Sequence, residues 1–84
     1  MKYDLEITRN AQKSLAKIPE PFQSKIIDKI YSLAENPYFG AKKLTGRDAY
    51  RIRVGNYRVI YEIKSDKLVV LVVNIGHRRD IYNK

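Results

Sequence analysis

The 84 residues are enough for one domain with a single modest core, and we expect that domain to span residues 1–84. Seventeen Lys and Arg against nine Asp and Glu give a formal charge of +8 at pH 7, which favours an acidic partner and above all nucleic acid. The absence of cysteine excludes disulfides and Cys-ligated zinc and fits a reducing cytoplasm, while the sequence shows no secretory signal and no apolar run long enough to span a membrane.

The first part of the chain predicts a strand followed by two helices. Residues 3–7 alternate apolar and polar side chains, which is the period of a half-buried strand. A short amphipathic helix follows, with Asn10 as its predicted N-cap and Thr8 as the alternative. Pro21 suits the first turn of a second amphipathic helix, which ends at residues 36–37. Because so few residues join the two helices, we expect an αα-hairpin.

The rest of the chain predicts three strands. Residues 50–63 alternate apolar and charged side chains on both sides of Gly55-Asn56, which is a strong signal for a two-residue β-hairpin turn. After a polar turn at residues 64–67, residues 68–75 are apolar on both faces, so this last strand should be interior to the sheet or covered by a partner. The order β-α-α-β-β-β predicts an α+β domain, with the αα-hairpin packed on one face of a mainly antiparallel four-stranded sheet.

The predicted hairpin separates an apolar face from a cationic one. A two-residue turn pairs the residues that flank it, so Arg53 should lie opposite Arg58, with Arg51 on the same face. The apolar face holds Tyr50, Ile52, Val54, Tyr57, Val59 and Tyr61, which we assign to the core. Directly opposed like charges cost stability unless an anion lies over them, and we interpret that anion as a phosphodiester backbone. If the register continues into the last strand, Arg58 lies opposite Val73 and residues 76–82 reach the same rim.

A cationic site for RNA is therefore predicted at this rim. Its residues are Arg51, Arg53, Arg58, His77, Arg78, Arg79 and Tyr82, with Lys42 and Lys43 as further phosphate contacts. Guanidinium groups suit phosphate, and aromatic rings can stack on bases. The ribose 2′-hydroxyl is itself a nucleophile, so cleavage needs alignment, proton removal and stabilisation of charge on the phosphorane, without metal or cofactor. Nearby cations would lower the pKa of Tyr82 below the usual value of about 10, which makes it a candidate general base, while Arg78 or Arg79 would stabilise the phosphorane or the departing 5′-oxygen.

Each of these residues also has a passive interpretation. The three strand arginines could be a solvated face, and His77 could be a hydrogen-bonded structural residue. Tyr82 could anchor the tail against the sheet, and Lys42 and Lys43 could be solvated loop charges. The opposed arginines favour the functional interpretation, because such a pair is disfavoured in a passive hairpin.

Three segments carry a family resemblance. They are Leu44-Thr45-Gly46, the run from Tyr50 to Tyr61, and the terminal Gly76-His77-Arg78-Arg79-Asp80-Ile81-Tyr82. Together they resemble the RelE family of bacterial and archaeal toxin-antitoxin toxins, within the RelE/ParE superfamily. The resemblance implies a ribosome-dependent endoribonuclease that contacts 16S rRNA, enters the A site and cuts mRNA by metal-independent 2′-hydroxyl attack. It also implies a cognate RelB-like antitoxin, whose C-terminal segment wraps the toxin and folds on binding.

The resemblance also implies roles by position. Arg51 and Arg53 occupy positions at which family members carry basic residues that hold the substrate in place and assist catalysis. Arg58 matches the phosphate-stabilising arginine, Arg78 the leaving-group or charge-stabilising arginine, and Tyr82 the stacking or general-base tyrosine. The superfamily also includes gyrase-poisoning toxins of the ParE type on the same fold. Gyrase inhibition and a non-catalytic RNA- or ribosome-binding module are therefore the alternative functions.

Overall fold

Two helices and a five-stranded mixed sheet make up the part of the chain that the computed structural model describes, residues 2–44 and 48–77. In chain order the elements are β1 (Asp4–Ile7), α1 (Arg9–Ala16), α2 (Phe22–Glu35), β2 (Lys42–Lys43), β3 (Ala49–Val54), β4 (Tyr57–Lys64) and β5 (Val69–His77). The strands lie in the order β1-β5-β4-β3-β2, in which β1 runs parallel to β5 and all other neighbours are antiparallel. The predicted α+β class and mainly antiparallel sheet are confirmed. Neither helix of these ranges has the length and apolar character needed to cross a membrane.

The first helix begins directly after Thr8, which caps it. The Thr8 hydroxyl oxygen accepts a hydrogen bond from the Ala11 amide at 3.1 Å, and the hydroxyl donates to the Val73 carbonyl oxygen at 3.2 Å. The N-cap is therefore Thr8 and not Asn10, because a side chain just before the first helical residue is placed to reach the free amides of the first turn. The same hydroxyl joins α1 to β5.

Both helices pack on one face of the sheet, and the core lies between them and the strands. Its buried side chains are Ala11, Ile18, Ile26, Ile30 and Leu33 from the helical half, and Ile52, Val59, Tyr61, Val70, Val72 and Ile75 from the sheet. Tyr50 and Tyr57 pack against this cluster, as the hairpin pattern predicts. β5 lies between β1 and β4, so the prediction that the last strand is interior is confirmed.

The sheet has one strand more than the four predicted. Lys42 and Lys43 form the short strand β2, which pairs antiparallel with β3 at the edge of the sheet. Two residues are too few to show a period, so the sequence pattern indicates only a connection here.

The register between β4 and β5 also differs from the prediction. The turn lies at residues 65–68, one position later than predicted, and the pairing shifts beside Tyr61. Arg58 consequently lies opposite Gly76, and the predicted pairing with Val73 is wrong. A shift of this kind places one extra residue in one strand, and the alternation within each strand does not reveal it.

Candidate nucleic-acid interface

Four cationic residues lie together on the sheet face opposite the helices, and we call them the arginine face: Lys42, Arg51, Arg53 and Arg58. The alternation of the strands places them there, because the neighbouring Ile52 is buried in the core on the other face. Lys42 pairs with Arg51 across β2 and β3. Arg53 pairs with Arg58 across β3 and β4, so the predicted opposition of these two arginines is confirmed.

The members of the arginine face differ in exposure. Lys42 and Arg53 are exposed and Arg51 is half-buried, whereas the exposed fraction of Arg58 is 0%. The prediction that Arg58 lies on an open surface is therefore wrong. Its strand β4 lies in the middle of the sheet between β5 and β3, and this central position contributes to the enclosure.

Glu62, which alternation places on the same face of β4 as Arg58, forms an ion pair with a lysine of its own strand. Glu62 forms an ion pair with Lys64, with 2.9 Å between the Lys64 Nζ and a Glu62 carboxylate oxygen. The hydrogen bond from Lys64 to this carboxylate, together with its charge, raises the pKa of Lys64. Four residues separate Glu62 from Arg58, which is about 13 Å along an extended strand. This carboxylate therefore does not neutralise the pair formed by Arg53 and Arg58.

His77 lies at the same end of the sheet but on its other face. It pairs with Tyr57 across β4 and β5, and the two rings meet edge to face with centroids 5.6 Å apart. Tyr57 in turn contacts Phe22 of α2, with ring centroids 5.7 Å apart. The ring of His77 therefore belongs to the helix side of the sheet and does not join the arginine face. The correct register of β5, followed by simple alternation, would have shown this placement.

Lys43 also lies away from the arginine face. It pairs with Tyr50 across β2 and β3, on the face opposite to Lys42, although both lysines are exposed. Arg78, Arg79 and Tyr82 lie outside the described residues, and so does their predicted approach to the arginine face. Within residues 2–44 and 48–77, no three His, Cys, Asp or Glu side chains form a cluster that could hold a metal ion.

The hydroxyl of Tyr61 makes a buried contact with the connection between α2 and β2, and the sequence pattern does not predict this contact. This fully buried hydroxyl donates a hydrogen bond to the Pro37 carbonyl oxygen at 2.7 Å, and its ring stacks on Tyr50 with centroids 6.1 Å apart. Burial, and secondly the electrostatic influence of the neighbouring Tyr50, raises the pKa of Tyr61 to about 12. Pro37 begins the connection between α2 and β2, so the bond joins the start of this connection to β4. The sequence offers one signal for this hydrogen bond: a tyrosine hydroxyl that is buried in the core needs a hydrogen-bond partner.

Known proteins share this architecture and about 30% of the sequence. A family model described as the ParE toxin of the type II toxin-antitoxin system parDE matches residues 5–82. A putative RelE-like toxin protein of Escherichia coli is 30% identical over 88 residues, which cover 99% of this chain and 93% of that protein. The mRNA interferase toxin RelE of E. coli strain K12 is 29% identical over 89 residues, which cover 100% of this chain and 94% of that protein. A chain of the intact E. coli RelBE toxin-antitoxin complex superimposes with a TM-score of 0.79 at 31% identity, over 89% of this chain and 95% of that chain.

The fold and the family match together define the class of protein. The chain is a toxin of a type II toxin-antitoxin system, because the family model covers residues 5–82 and the sheet has helices on one side and arginines on the other. The chain belongs to the RelE family of these toxins, within the RelE/ParE superfamily. The family resemblance that the sequence motifs indicate is therefore confirmed.

Proposed function

We propose that this toxin is an endoribonuclease that cuts mRNA in the ribosomal A site. The observation that carries the proposal is the arginine face itself, which groups Lys42, Arg51, Arg53 and Arg58 on the side of the sheet opposite the helices. A relative that is 29% identical over this whole chain bears the name mRNA interferase toxin RelE, and that name supports mRNA as the substrate.

The proposed reaction uses the 2′-hydroxyl of the substrate as nucleophile and needs no metal ion. The 2′-oxygen attacks the adjacent phosphorus, a 2′-O–P bond forms and the P–O5′ bond breaks, which leaves a 2′,3′-cyclic phosphate and a 5′-hydroxyl. One proton leaves the 2′-hydroxyl for a general base, and one is delivered to the departing 5′-oxygen. Guanidinium groups stabilise the negative charge that develops on the phosphorane oxygens.

We assign the roles by exposure where the structure describes the residue. Arg53, Arg51 and Lys42 are accessible to different degrees and make the first contact with the phosphodiester backbone. Arg58 stabilises the phosphorane, which requires its enclosed guanidinium to become accessible when RNA binds. The remaining assignments are Arg78 to the departing oxygen, Tyr82 to the general base or a base-stacking platform, and His77, Arg79 and Lys43 to RNA binding beyond the arginine face.

We further propose that a cognate antitoxin of the RelB type keeps this toxin inactive. The E. coli neighbour of known structure is a chain of a toxin-antitoxin complex. A formal charge of +8 suits an acidic or amphipathic antitoxin segment that folds as it binds. Expression of this chain alone should arrest growth, and co-expression of the adjacent open reading frame should restore it.

The reaction is tested with ribosomes programmed with synthetic mRNA, in which one A-site ribose is replaced by 2′-deoxyribose. The native mRNA should be cut in the A site, with a 5′-hydroxyl and a cyclic phosphate at the ends, and the substituted mRNA should stay intact. Arg53→Gln should lower kcat/KM by about tenfold to a hundredfold, since it removes one charge-assisted contact. Lys25→Gln, which removes an exposed charge from α2, is the matched control and should cleave normally. Cleavage of the deoxy-substituted mRNA, or products with a 5′-phosphate, would refute 2′-hydroxyl attack.

A second candidate function is inhibition of DNA gyrase. It is favoured by the family model matching residues 5–82, which is described as the ParE toxin, since one fold supports both activities in this superfamily. A supercoiling assay with purified gyrase separates the two: blocked supercoiling together with intact mRNA would support gyrase inhibition. Binding to ribosomes without either activity would identify a non-catalytic module, in which case Arg78→Ala and Tyr82→Phe should leave growth arrest unchanged.

A further inference from the structure

The outer surface of α1 carries a second row of cations, on the opposite side of the molecule from the arginine face. Arg9, Lys13 and Lys17 recur every four residues, and all three are exposed. Residues with this spacing lie on one side of a helix, and four residues rise about 6 Å along its axis. Lys17 continues the row because it caps the helix with αR backbone angles. We call these three residues the α1 stripe.

The stability of the helix does not account for the α1 stripe. The sequence of α1 contains no acidic residue, so no intrahelical ion pair offsets the repulsion between neighbouring cations. In the described part of the chain, no carboxylate forms an ion pair with any of the three. Arg9 also lies at the N-terminal end of the helix, where the helix dipole disfavours positive charge. Packing does not require the stripe either, because α1 is held to the sheet side by the buried Ala11.

The surroundings of the α1 stripe favour a polyanion over an apolar partner. The large hydrophobic side chains exposed among the described residues are Phe22, Tyr31, Tyr38 and Phe39, and none of them is on α1. A folding protein segment or a membrane surface needs apolar side chains to bury, whereas a row of phosphates needs mainly positive charge. The backbone positions of the three cations follow one another at intervals of about 6 Å along the helix axis, so the three side chains can contact different phosphates of one RNA strand.

We propose that the α1 stripe binds the phosphodiester backbone of structured RNA, as a second surface separate from the arginine face. The choice of RNA over DNA rests on the proposed function. Because the core separates the helices from the arginine face, a folded RNA can lie against α1 while a single strand occupies the arginine face. The α1 stripe then orients the toxin on the folded RNA, and the arginine face receives the strand to be cut.

The proposal is tested by the salt dependence of binding to a non-cleavable probe. The probe is an RNA hairpin with a 2′-O-methyl group on every ribose, which removes the nucleophile and keeps every phosphate. The triple variant Arg9→Gln, Lys13→Gln, Lys17→Gln should reduce the slope of log affinity against log salt by about 2, since each neutralised phosphate contributes roughly 0.7 to 0.9. Lys13→Gln alone should reduce it by about 0.7, which keeps the test valid if the triple variant folds poorly.

The matched control is the double variant Lys25→Gln, Lys29→Gln, which removes two charges at the same spacing from α2 and should leave the slope nearly unchanged. An unchanged slope in the folded α1 variants would overturn the proposal. So would loss of antitoxin binding without a change in the RNA slope, because the stripe would then recognise a protein. A slope change confined to a DNA hairpin of the same sequence would overturn the assignment to RNA. Arg53→Gln separates this result from the proposed function, because it should impair cleavage and keep the contribution of the α1 stripe to the slope.

Discussion

The buried hydroxyl of Tyr61 should give this protein a measurable dependence of stability on alkaline pH. The hydroxyl donates to the Pro37 carbonyl oxygen at 2.7 Å, in a position with no exposed surface. Tyr61→Phe removes this donor and keeps the ring, so it leaves a buried carbonyl without that partner. We expect the variant to lose about 1–3 kcal/mol of unfolding free energy at pH 7.

The sign of the pH dependence follows from the raised pKa of Tyr61. Burial raises this pKa to about 12 from its usual value of 10.0, so the folded protein favours the neutral phenol. The stabilisation is complete below pH 10 and is lost as the pH rises from 10 through 12. At pH 11 the loss should be about 1.4 kcal/mol, the free energy that corresponds to one pKa unit. Tyr61→Phe lacks this titration, so its deficit relative to the parent protein should shrink by the same amount.

Urea unfolding followed by circular dichroism at pH 7, 9 and 11 measures this difference. The matched control is Tyr31→Phe, since the Tyr31 side chain on α2 is 67% exposed. That control should change the unfolding free energy by less than about 0.5 kcal/mol at each pH. A deficit of Tyr61→Phe that is the same at pH 9 and pH 11 would refute the reasoning.

Three further substitutions test the fold and the arginine face. Arg53→Gln should raise the unfolding free energy by about 0.2–1 kcal/mol at low salt, because it removes the charge opposed to Arg58, and a loss of stability in chemical denaturation would contradict this. Thr8→Ala should cost about 1–2 kcal/mol because the cap and the bond to Val73 both disappear, whereas Thr8→Ser should keep most of the stability; equal losses would speak against the capping role. Gly55→Ala should cost about 1 kcal/mol in thermal unfolding because Gly55 has a φ of 59°, and Gly55→Asn should cost less; if both variants match the parent, the turn conformation is not the one described.

The β3–β4 hairpin could be predicted closely because one turn determines its whole register. Gly55-Asn56 specifies a two-residue loop, and strict alternation then assigns every side chain of the two strands to a face. The opposition of Arg53 to Arg58 and the core position of Tyr61 follow from these two facts alone. The family follows from motifs that lie mostly in the same hairpin and in the terminal segment.

The parts that could not be predicted depend on contacts between distant elements. The later turn and the register shift beside Tyr61 together move the partner of Arg58 from Val73 to Gly76, and no alternation within β4 or β5 records the shift. The same shift brings His77 beside Tyr57 and away from the arginine face. Alternation does not predict the enclosure of Arg58, because it assigns a side chain to a face and says nothing about what packs around it there.

The parallel pairing of β1 with β5 has a consequence for the synthesis of this protein. The partners of Asp4–Ile7 are residues 69–72, so the two strands come from opposite ends of the described chain. On a translating ribosome β1 emerges first and has no partner until β5 has followed it, whereas the β3–β4 hairpin joins neighbouring residues and can form earlier. The pairing of β1 with β5 is thus the last strand pairing to form. A chain that is released before β5 is synthesised therefore carries the arginine face but lacks the strand that flanks Arg58.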